Sequence, residues 1–167
     1  AEYLAAKFIV NHEFEVKQIL SLITILSDDE GKIVEQVKGA ATWLGIISKK
    51  LLEHSIKTDP MSLLNGDLAS ISNESKKEMV QSILDKLEAT NITDSNWSLR
   101  FQYHKVNHPT LAEQLRPYIE DTTKGFLVRR VAIDIIEACE LNQLNGALME
   151  VALNKKDNSY IRKEAMH

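Results

Sequence analysis

Cysteine, proline and glycine are all scarce in this chain of 167 residues. Cys139 is the single cysteine, so no disulfide can form within the chain, and this indicates a reducing compartment such as the cytoplasm. Three prolines and six glycines are few for this length. An all-β fold needs many tight turns, so the scarcity of turn-forming residues argues against that class.

Long apolar runs and a strong net charge are also missing. The most apolar segment, 19–26, is interrupted by Ser21 and Thr24 and is far shorter than the ~20 apolar residues of a membrane helix. A formal net charge of −4 argues against general binding to nucleic acids or anionic membranes, because both repel a negative surface. We therefore expect a cytoplasmic domain with no membrane partner.

Apolar residues recur at three- and four-residue spacing along the whole chain, a pattern that predicts an all-α fold. Asp59 and Pro60 have the residue types of a helix start, and Ser75 and Glu78 have the spacing of a capping box at another. The predicted helices cover 2–11, 14–26, 32–54, a short turn from 60, a helix from 75, and then 97–105, 109–119, 126–139, 142–153 and a last one from 159. Polar segments 28–31 and 90–96 are predicted loops.

An internal repeat with an offset of 33 residues lies in the C-terminal third. The segment 128–132 recurs as 161–165, and the same offset pairs Leu111 with Leu144, Leu115 with Leu148, and Tyr118 with Val151. Helix pairs at a fixed period must stack to bury their apolar faces, so we predict an α-α superhelix of HEAT-like helix pairs. Residues 1–30 would link to an upstream domain, 31–95 would form irregular helical repeats, and 96–167 would form HEAT-like repeats, the last one incomplete.

No pattern in the chain matches a nucleotide site. Gly31 and Lys32 form a glycine-lysine pair, but a phosphate-binding loop needs a glycine five residues before it and a hydroxyl after it. Leu26 and Ile33 occupy those two positions. We expect no cofactor site in this chain.

Two other residue types could carry chemistry. His104 and His108 have the spacing of metal ligands on one helix, but Pro109 separates them, and surface or capping histidines are the favoured interpretation. Cys139 ends an apolar helix face without a neighbouring base, so we expect a core residue rather than a nucleophile. The sequence predicts no catalytic residue, no metal site and no enzyme activity.

The most distinctive charges are Arg129, Arg130, Arg162 and Lys163, which the 33-residue offset places at equivalent positions of two repeats. One interpretation is an exposed interaction strip that binds anions or nucleic acid, which requires all four side chains to face solvent. The other is structural, with each arginine bound to carboxylates or helix C-terminal carbonyls of a neighbouring repeat. The negative net charge favours the structural interpretation.

Several motifs, taken in order, resemble one protein family. The segment Glu2, Tyr3, Leu4, Ala5 and Ala6 resembles the EYLAA segment that closes the nucleotide-binding module of NACHT-type STAND NTPases. Further along, Trp43-Leu44, Asp59-Pro60 with Leu63-Leu64 and Asp67, and the segment 111–119 resemble the helical region that follows this module in bacterial members. The segment 132–139 resembles their HEAT-like repeats.

The resemblance implies a division of labour. The chain begins without methionine inside a predicted helix, and we expect residue 1 to be an internal boundary of a larger protein. ATP and Mg²⁺ would bind an upstream NTPase domain, and the helical array would act as a sensor and scaffold that contacts this domain and an unknown protein trigger. Bacterial members are associated with defence against phage. The alternative is a nucleic-acid-binding helical repeat that uses the arginine strip.

Overall fold

A computed structural model gives the fold of residues 1–25, 33–89 and 97–166. Apart from one isolated bridge between Thr24 and Ile33, these residues form helices and connecting turns, without a strand. The predicted all-α class is therefore confirmed. No helix in these ranges is both long enough and apolar enough to cross a bilayer. The chain divides into two compact units, Ala1–Met79 and Val80–His167.

The helices of the described ranges follow the predicted order. They are α1 (Glu2–Asn11), α2 (Val16–Ile23), α3 (Lys38–Ile47), α4 (Lys49–Thr58), α5 (Pro60–Leu63), α6 (Asn73–Ala89), α7 (Leu111–Glu120), α8 (Phe126–Ala138), α9 (Asn145–Leu153) and α10 (Ser159–Glu164). The segment predicted as an α-helix at 97–105 is instead the 3-10 helix Trp97–Val106, and short 3-10 turns precede α3 and α9. The predicted loops at 28–31 and 90–96 lie outside the described residues.

The first unit is built around α3. This helix contacts α1, α4 and α5, and apolar residues of α1, α2 and α4 complete its core. The buried members of this cluster are Ala6, Ile19, Ile23, Ile33, Ala41, Leu44 and Leu51. Burial of such side chains stabilises the fold by about 1.5 to 3 kcal/mol each for the larger ones.

The predicted single helix 32–54 is wrong, because the chain breaks at Ser48. Its backbone is extended there (φ −117°, ψ 113°), so that α3 ends and α4 begins at the same residue. Serine competes for backbone hydrogen bonds outside helices and is favoured at helix boundaries. The apolar residues spaced by three or four from Ile33 to Leu51 had predicted one continuous face. The break divides this face between two helices that pack against each other, with Leu44 buried on one and Leu51 on the other.

Two helix starts follow the rules of capping. The Asp59 side chain accepts a hydrogen bond from the Ser62 backbone N–H at 3.3 Å, and Pro60 opens α5, as predicted. The start predicted at Ser75 lies too late in the chain, because α6 begins at Asn73. The Ser72 hydroxyl accepts from the Ser75 backbone N–H at 3.1 Å and caps the helix in its place. The three- and four-residue spacing of apolar residues in this helix predicts one buried face, and its members are indeed buried, at Met79, Val80, Ile83, Leu84 and Leu87.

The second unit is built from helix pairs that repeat the 33-residue offset. α7 packs against α8, and α9 packs against α10, within each pair. Between the pairs, α7 contacts α9 and α8 contacts α10, while the 3-10 helix Trp97–Val106 also packs against α8. Equivalent helices of successive repeats are therefore neighbours, which is the packing that stacked repeats need. The superhelical arrangement of the pairs stays a prediction.

Candidate interaction site

Arg129 lies in the interior of the second unit. Its side chain is 2% exposed and binds Asp157, which precedes α10, through Nη1 to Oδ1 at 2.6 Å and Nη2 to Oδ2 at 2.7 Å. Nη2 also donates to the carbonyl of Ile119 near the end of α7, at 2.9 Å. The bidentate bond from the guanidinium holds the pKa of Asp157 below its usual range. This ion pair therefore links the helix pair of α7 and α8 to the segment just before α10, in the next helix pair.

Arg162 repeats part of this arrangement one period later. Its Nε donates to the carbonyl of Ala152, near the end of α9, at 3.0 Å. Both the donor and the acceptor lie 33 residues after Arg129 and Ile119. Each arginine therefore binds the carbonyl end of the preceding helix of its own pair, where the helix dipole favours a cation. The structural interpretation expected carboxylates or helix C-terminal carbonyls of a neighbouring repeat. Arg129 binds such a carboxylate at Asp157, whereas the carbonyls that Arg129 and Arg162 bind belong to their own helix pairs.

The other two residues of the predicted strip differ from each other. Arg130 is largely buried, and its Nε lies 3.9 Å from Oδ2 of Asp134, whereas Lys163 is exposed. A nucleic-acid strip requires all four side chains to face solvent, and Arg129 does not meet that requirement. The 33-residue offset places the four cationic residues at equivalent sequence positions, but the side chain of Arg129 is bound in the interior of the unit.

A buried polar cluster surrounds Asp134 of α8, and the sequence interpretation missed it. Nε of Arg100 lies 3.3 Å from Oδ1 of Asp134, and Arg100 also binds Glu137 of α8 through Nη2. Burial raises the pKa of Asp134 to about 6, although Arg100 and Arg130 oppose that rise. In the sequence, the signal that could have indicated this cluster is an aspartate within an otherwise apolar face of α8. Its partner Arg100 comes from a different element, which periodicity does not reveal.

A small cavity of about 240 Å³ adjoins this cluster. Its described lining supplies carboxylates, a guanidinium and an imidazole, but no hydroxyl, thiol or amine. The lining residues are Arg100, Phe101, His104, Asp134, Glu137 and Ala138. Such a set can hold an electrostatic network of paired charges.

The two histidines lie in different surroundings. His104 is exposed, and its Nδ1 lies 2.9 Å from the carbonyl of Phe101. His108 is buried, so of the two expected roles, surface or capping, the surface role is wrong for this residue, and its Nε2 lies 3.0 Å from Oε1 of Gln114. Within the described ranges, no three His, Cys, Asp or Glu side chains come together as a metal site. Cys139 is buried as predicted, and its thiol donates to the Tyr103 carbonyl at 3.4 Å.

The EYLAA segment forms the first turns of α1. Ala6 is fully buried against the core of the first unit, and Tyr3 packs edge-to-face on Trp43 with 5.2 Å between ring centroids. Leu4 and Phe8 stand two residues to either side of Ala6, which in a helix is the opposite face. Their side chains are 67% and 56% exposed, and Leu22 of α2 is also exposed. Glu2 and Ala5 are exposed as well.

Comparison with known proteins yields no relative for this chain. No protein-family model matches it, and neither a curated protein nor a solved structure matches it. The class of protein is therefore defined by the fold and its surfaces alone: two compact all-helical units, the second built from repeated helix pairs, with exposed apolar side chains on the first helix.

Proposed function

We propose that this chain is a non-catalytic protein-binding module, the HEAT-like helical arm of a NACHT-type signalling NTPase. In this role it mediates contacts with the nucleotide-binding domain and with a protein trigger, and so contributes to autoinhibition or trigger recognition. The family setting suggests defence against phage. ATP and Mg²⁺ would belong to the nucleotide-binding domain, and the arm itself would be no enzyme.

The observation that carries this proposal is the outer face of α1. Leu4 and Phe8 lie one helical turn apart on a face that the first unit leaves uncovered. Large apolar side chains placed next to each other at a surface are typical of a protein-binding site. Leu4 belongs to the segment Glu2 to Ala6 that resembles the end of a NACHT module, and Phe8 follows it by one turn of the same helix. A uniformly charged outer face would have argued against docking there.

The nucleic-acid alternative has less support. It depends on a cationic strip, and Arg129, the first member, is engaged in a buried ion pair with Asp157. Lys163 remains exposed. A strip with one fully exposed member, on a chain of net charge −4, offers little attraction for a phosphate backbone.

The test begins with the coding sequence upstream of Ala1. A phosphate-binding loop there defines a domain that can be expressed separately and titrated with the chain by calorimetry. We expect the double variant Leu4→Asp with Phe8→Asp to weaken binding at least tenfold, since burial of each side chain would contribute about 1.5 to 3 kcal/mol and 1.4 kcal/mol equals a factor of ten.

The matched control is Leu153→Asp with Phe101→Asp, which changes a leucine and a phenylalanine of the second unit that are at least as exposed. It should leave the affinity unchanged. Equal loss in both variants, or no binding by the wild type, would contradict docking through α1. An upstream sequence without a phosphate-binding loop would remove the NTPase assignment and leave an interaction module.

A further inference from the structure

The cavity beside Asp134 lies between two elements of the second unit, the 3-10 helix Trp97–Val106 and α8. Its volume of about 240 Å³ is enough for a group of several non-hydrogen atoms. Asp134 is 2% exposed and forms the inner wall, whereas Phe101, His104 and Glu137 are exposed and form the rim. The cavity belongs to a different unit from the α1 surface, so a ligand bound there is independent of the proposed function.

The buried carboxylate of Asp134 is incompletely hydrogen-bonded. Within the described part of the chain its Oδ1 accepts no hydrogen bond, although Nε of Arg100 lies 3.3 Å away. Its Oδ2 lies 3.9 Å from Nε of Arg130, which is beyond hydrogen-bond distance. Buried polar atoms are nearly always paired, and leaving an acceptor without a donor destabilises the fold. A ligand that supplies an N–H to Oδ1 would therefore bind with little competition from the protein.

Acidic groups outnumber the cations around this carboxylate. Asp134, Glu137 and Glu164 supply three carboxylates, and Arg100 and Arg130 supply two guanidinium groups. Nη2 of Arg100 is already bound to Glu137. The pKa of Asp134 is about 6, because the effect of burial exceeds that of both arginines. The complementary ligand is therefore a cation that also donates an N–H.

The rim adds an apolar surface and a further acceptor. The ring of Phe101 is 72% exposed, and an aromatic ring attracts both a cation and the apolar stem that carries it. Nδ1 of His104 lies 2.9 Å from the Phe101 carbonyl, which can only accept, so Nδ1 carries the hydrogen and Nε2 of the neutral ring is an acceptor. The described residues bring no three metal-ligating side chains together, so this set suits an organic cation rather than a metal ion.

We propose that this cavity binds a primary alkylammonium group. The ammonium donates to Oδ1 of Asp134 from the position that Nε of Arg100 now occupies, while Nη2 of Arg100 keeps its bond to Glu137. The alkyl stem leaves the cavity along the ring of Phe101. A small alkylamine and the lysine side chain of a protein partner share this chemistry, and they differ only in what the stem is attached to.

Two cations with the same stem separate the hydrogen bond from the charge. n-Butylammonium has N–H donors, whereas n-butyltrimethylammonium has the same charge and none. Each is titrated into the isotope-labelled chain at about pH 7.5, where Asp134 is ionised, and the backbone amide resonances are followed by NMR. We expect n-butylammonium to shift the amides of 100–104 and 134–138 saturably and to bind at least about tenfold more tightly than the trimethyl compound. Equal affinities would overturn the proposal.

Asp134→Asn and Glu113→Gln form a matched pair of variants. Each removes one carboxylate, and Glu113 is an exposed residue of α7 outside the cavity. Asp134→Asn should weaken the binding of n-butylammonium at least about tenfold, and Glu113→Gln should leave it unchanged. The proposal fails if Asp134→Asn binds as the wild type does, or if the shifted amides are spread over both units.

A tripeptide of glycine, lysine and glycine with blocked ends distinguishes the two sources of the ammonium group. Tighter binding of the tripeptide than of n-butylammonium supports the site and assigns it to a lysine side chain of a protein partner. Tighter binding of n-butylammonium supports the site and assigns it to a small alkylamine. The absence of a saturable shift with either ligand would overturn the proposal.

Discussion

Asp134 brings a carboxylate into the buried side of α8, between Ile133 and Ile135. Its surroundings contain Arg100 and Arg130, but also the acidic side chains of Glu137 and Glu164. Burial has the largest effect and raises its pKa from 3.8 to about 6. The folded chain therefore binds this proton at pH values where the unfolded chain has lost it. Stability from this group is fully present below about pH 4 and is lost as the pH rises through about 6.

Asp134→Asn should remove the loss of stability that occurs as the pH rises, because an amide has no charge to desolvate. From pH 4 to pH 7 the free energy of unfolding of the wild type should fall relative to that of the variant. The expected change is on the order of 2 to 3 kcal/mol, at 1.36 kcal/mol per pKa unit. Urea unfolding of both proteins at pH 4, 5, 6 and 7 measures it.

Asp121→Asn provides a control of opposite sign. Hydrogen bonds from Thr123 hold the pKa of Asp121 below its usual range, so its stabilisation is present at neutral pH and is lost as the pH falls. The wild type should therefore gain stability relative to this variant as the pH rises. If the curves of Asp134→Asn and the wild type run parallel, Asp134 does not titrate as described.

The end of α8 shows how a helix terminates without glycine. Glu140 has a φ of 52°, in the left-handed region. The Leu141 N–H donates to the Ile136 carbonyl and the Glu140 N–H to the Glu137 carbonyl, both at 3.1 Å. These two bonds form a Schellman motif, in which the residue at the position of Glu140 is usually glycine because a side chain is strained there.

Glu140→Gly should therefore stabilise the fold by about 0.5 to 1 kcal/mol, measured by urea unfolding. Glu140→Ala is the matched control, since it removes the same carboxylate from the end of the helix and keeps a Cβ in the left-handed conformation. The glycine variant should be the more stable of the two. A glycine variant no more stable than the alanine variant would mean that the backbone at Glu140 carries no strain.

Helical burial was predictable from the sequence where it depends on spacing within one segment. The apolar face of α6 and the buried pair Leu63 and Leu64 follow from such local patterns. The break at Ser48 was not predictable, because apolar spacing continues on both sides of it and serine also occurs inside helices. Contacts between side chains of different helices could not be predicted from apolar spacing either. Nothing in the spacing of α8 distinguishes Arg129, which forms a buried ion pair with Asp157, from Arg130 beside it.

Over the whole chain, several cationic groups are already paired with acidic ones. Arg100 binds Glu137, Arg129 binds Asp157, and Lys124 donates to both carboxylate oxygens of Glu88 at 2.7 and 3.0 Å. The formal net charge is −4. Counterion release, which drives nonspecific binding to DNA, needs several free cations on one surface. A nucleic-acid-binding repeat would bind DNA with an affinity that falls steeply with salt, whereas a protein-binding module with these paired cations would not.

We expect no saturable binding of a labelled duplex of about 30 base pairs up to about 10 µM chain at roughly 150 mM salt, measured by fluorescence anisotropy. Lowering the salt to about 50 mM should reveal at most weak binding, because the net negative charge opposes the approach of DNA. Saturable binding with a steep salt dependence, weakened by Lys163→Glu and unaffected by Lys155→Glu, would contradict this expectation. Lys155 is an exposed lysine outside the predicted strip, so the pair separates a specific surface from overall charge. That result would return the function to the nucleic-acid alternative with Lys163 as its first contact, even though Arg129 is bound in the interior.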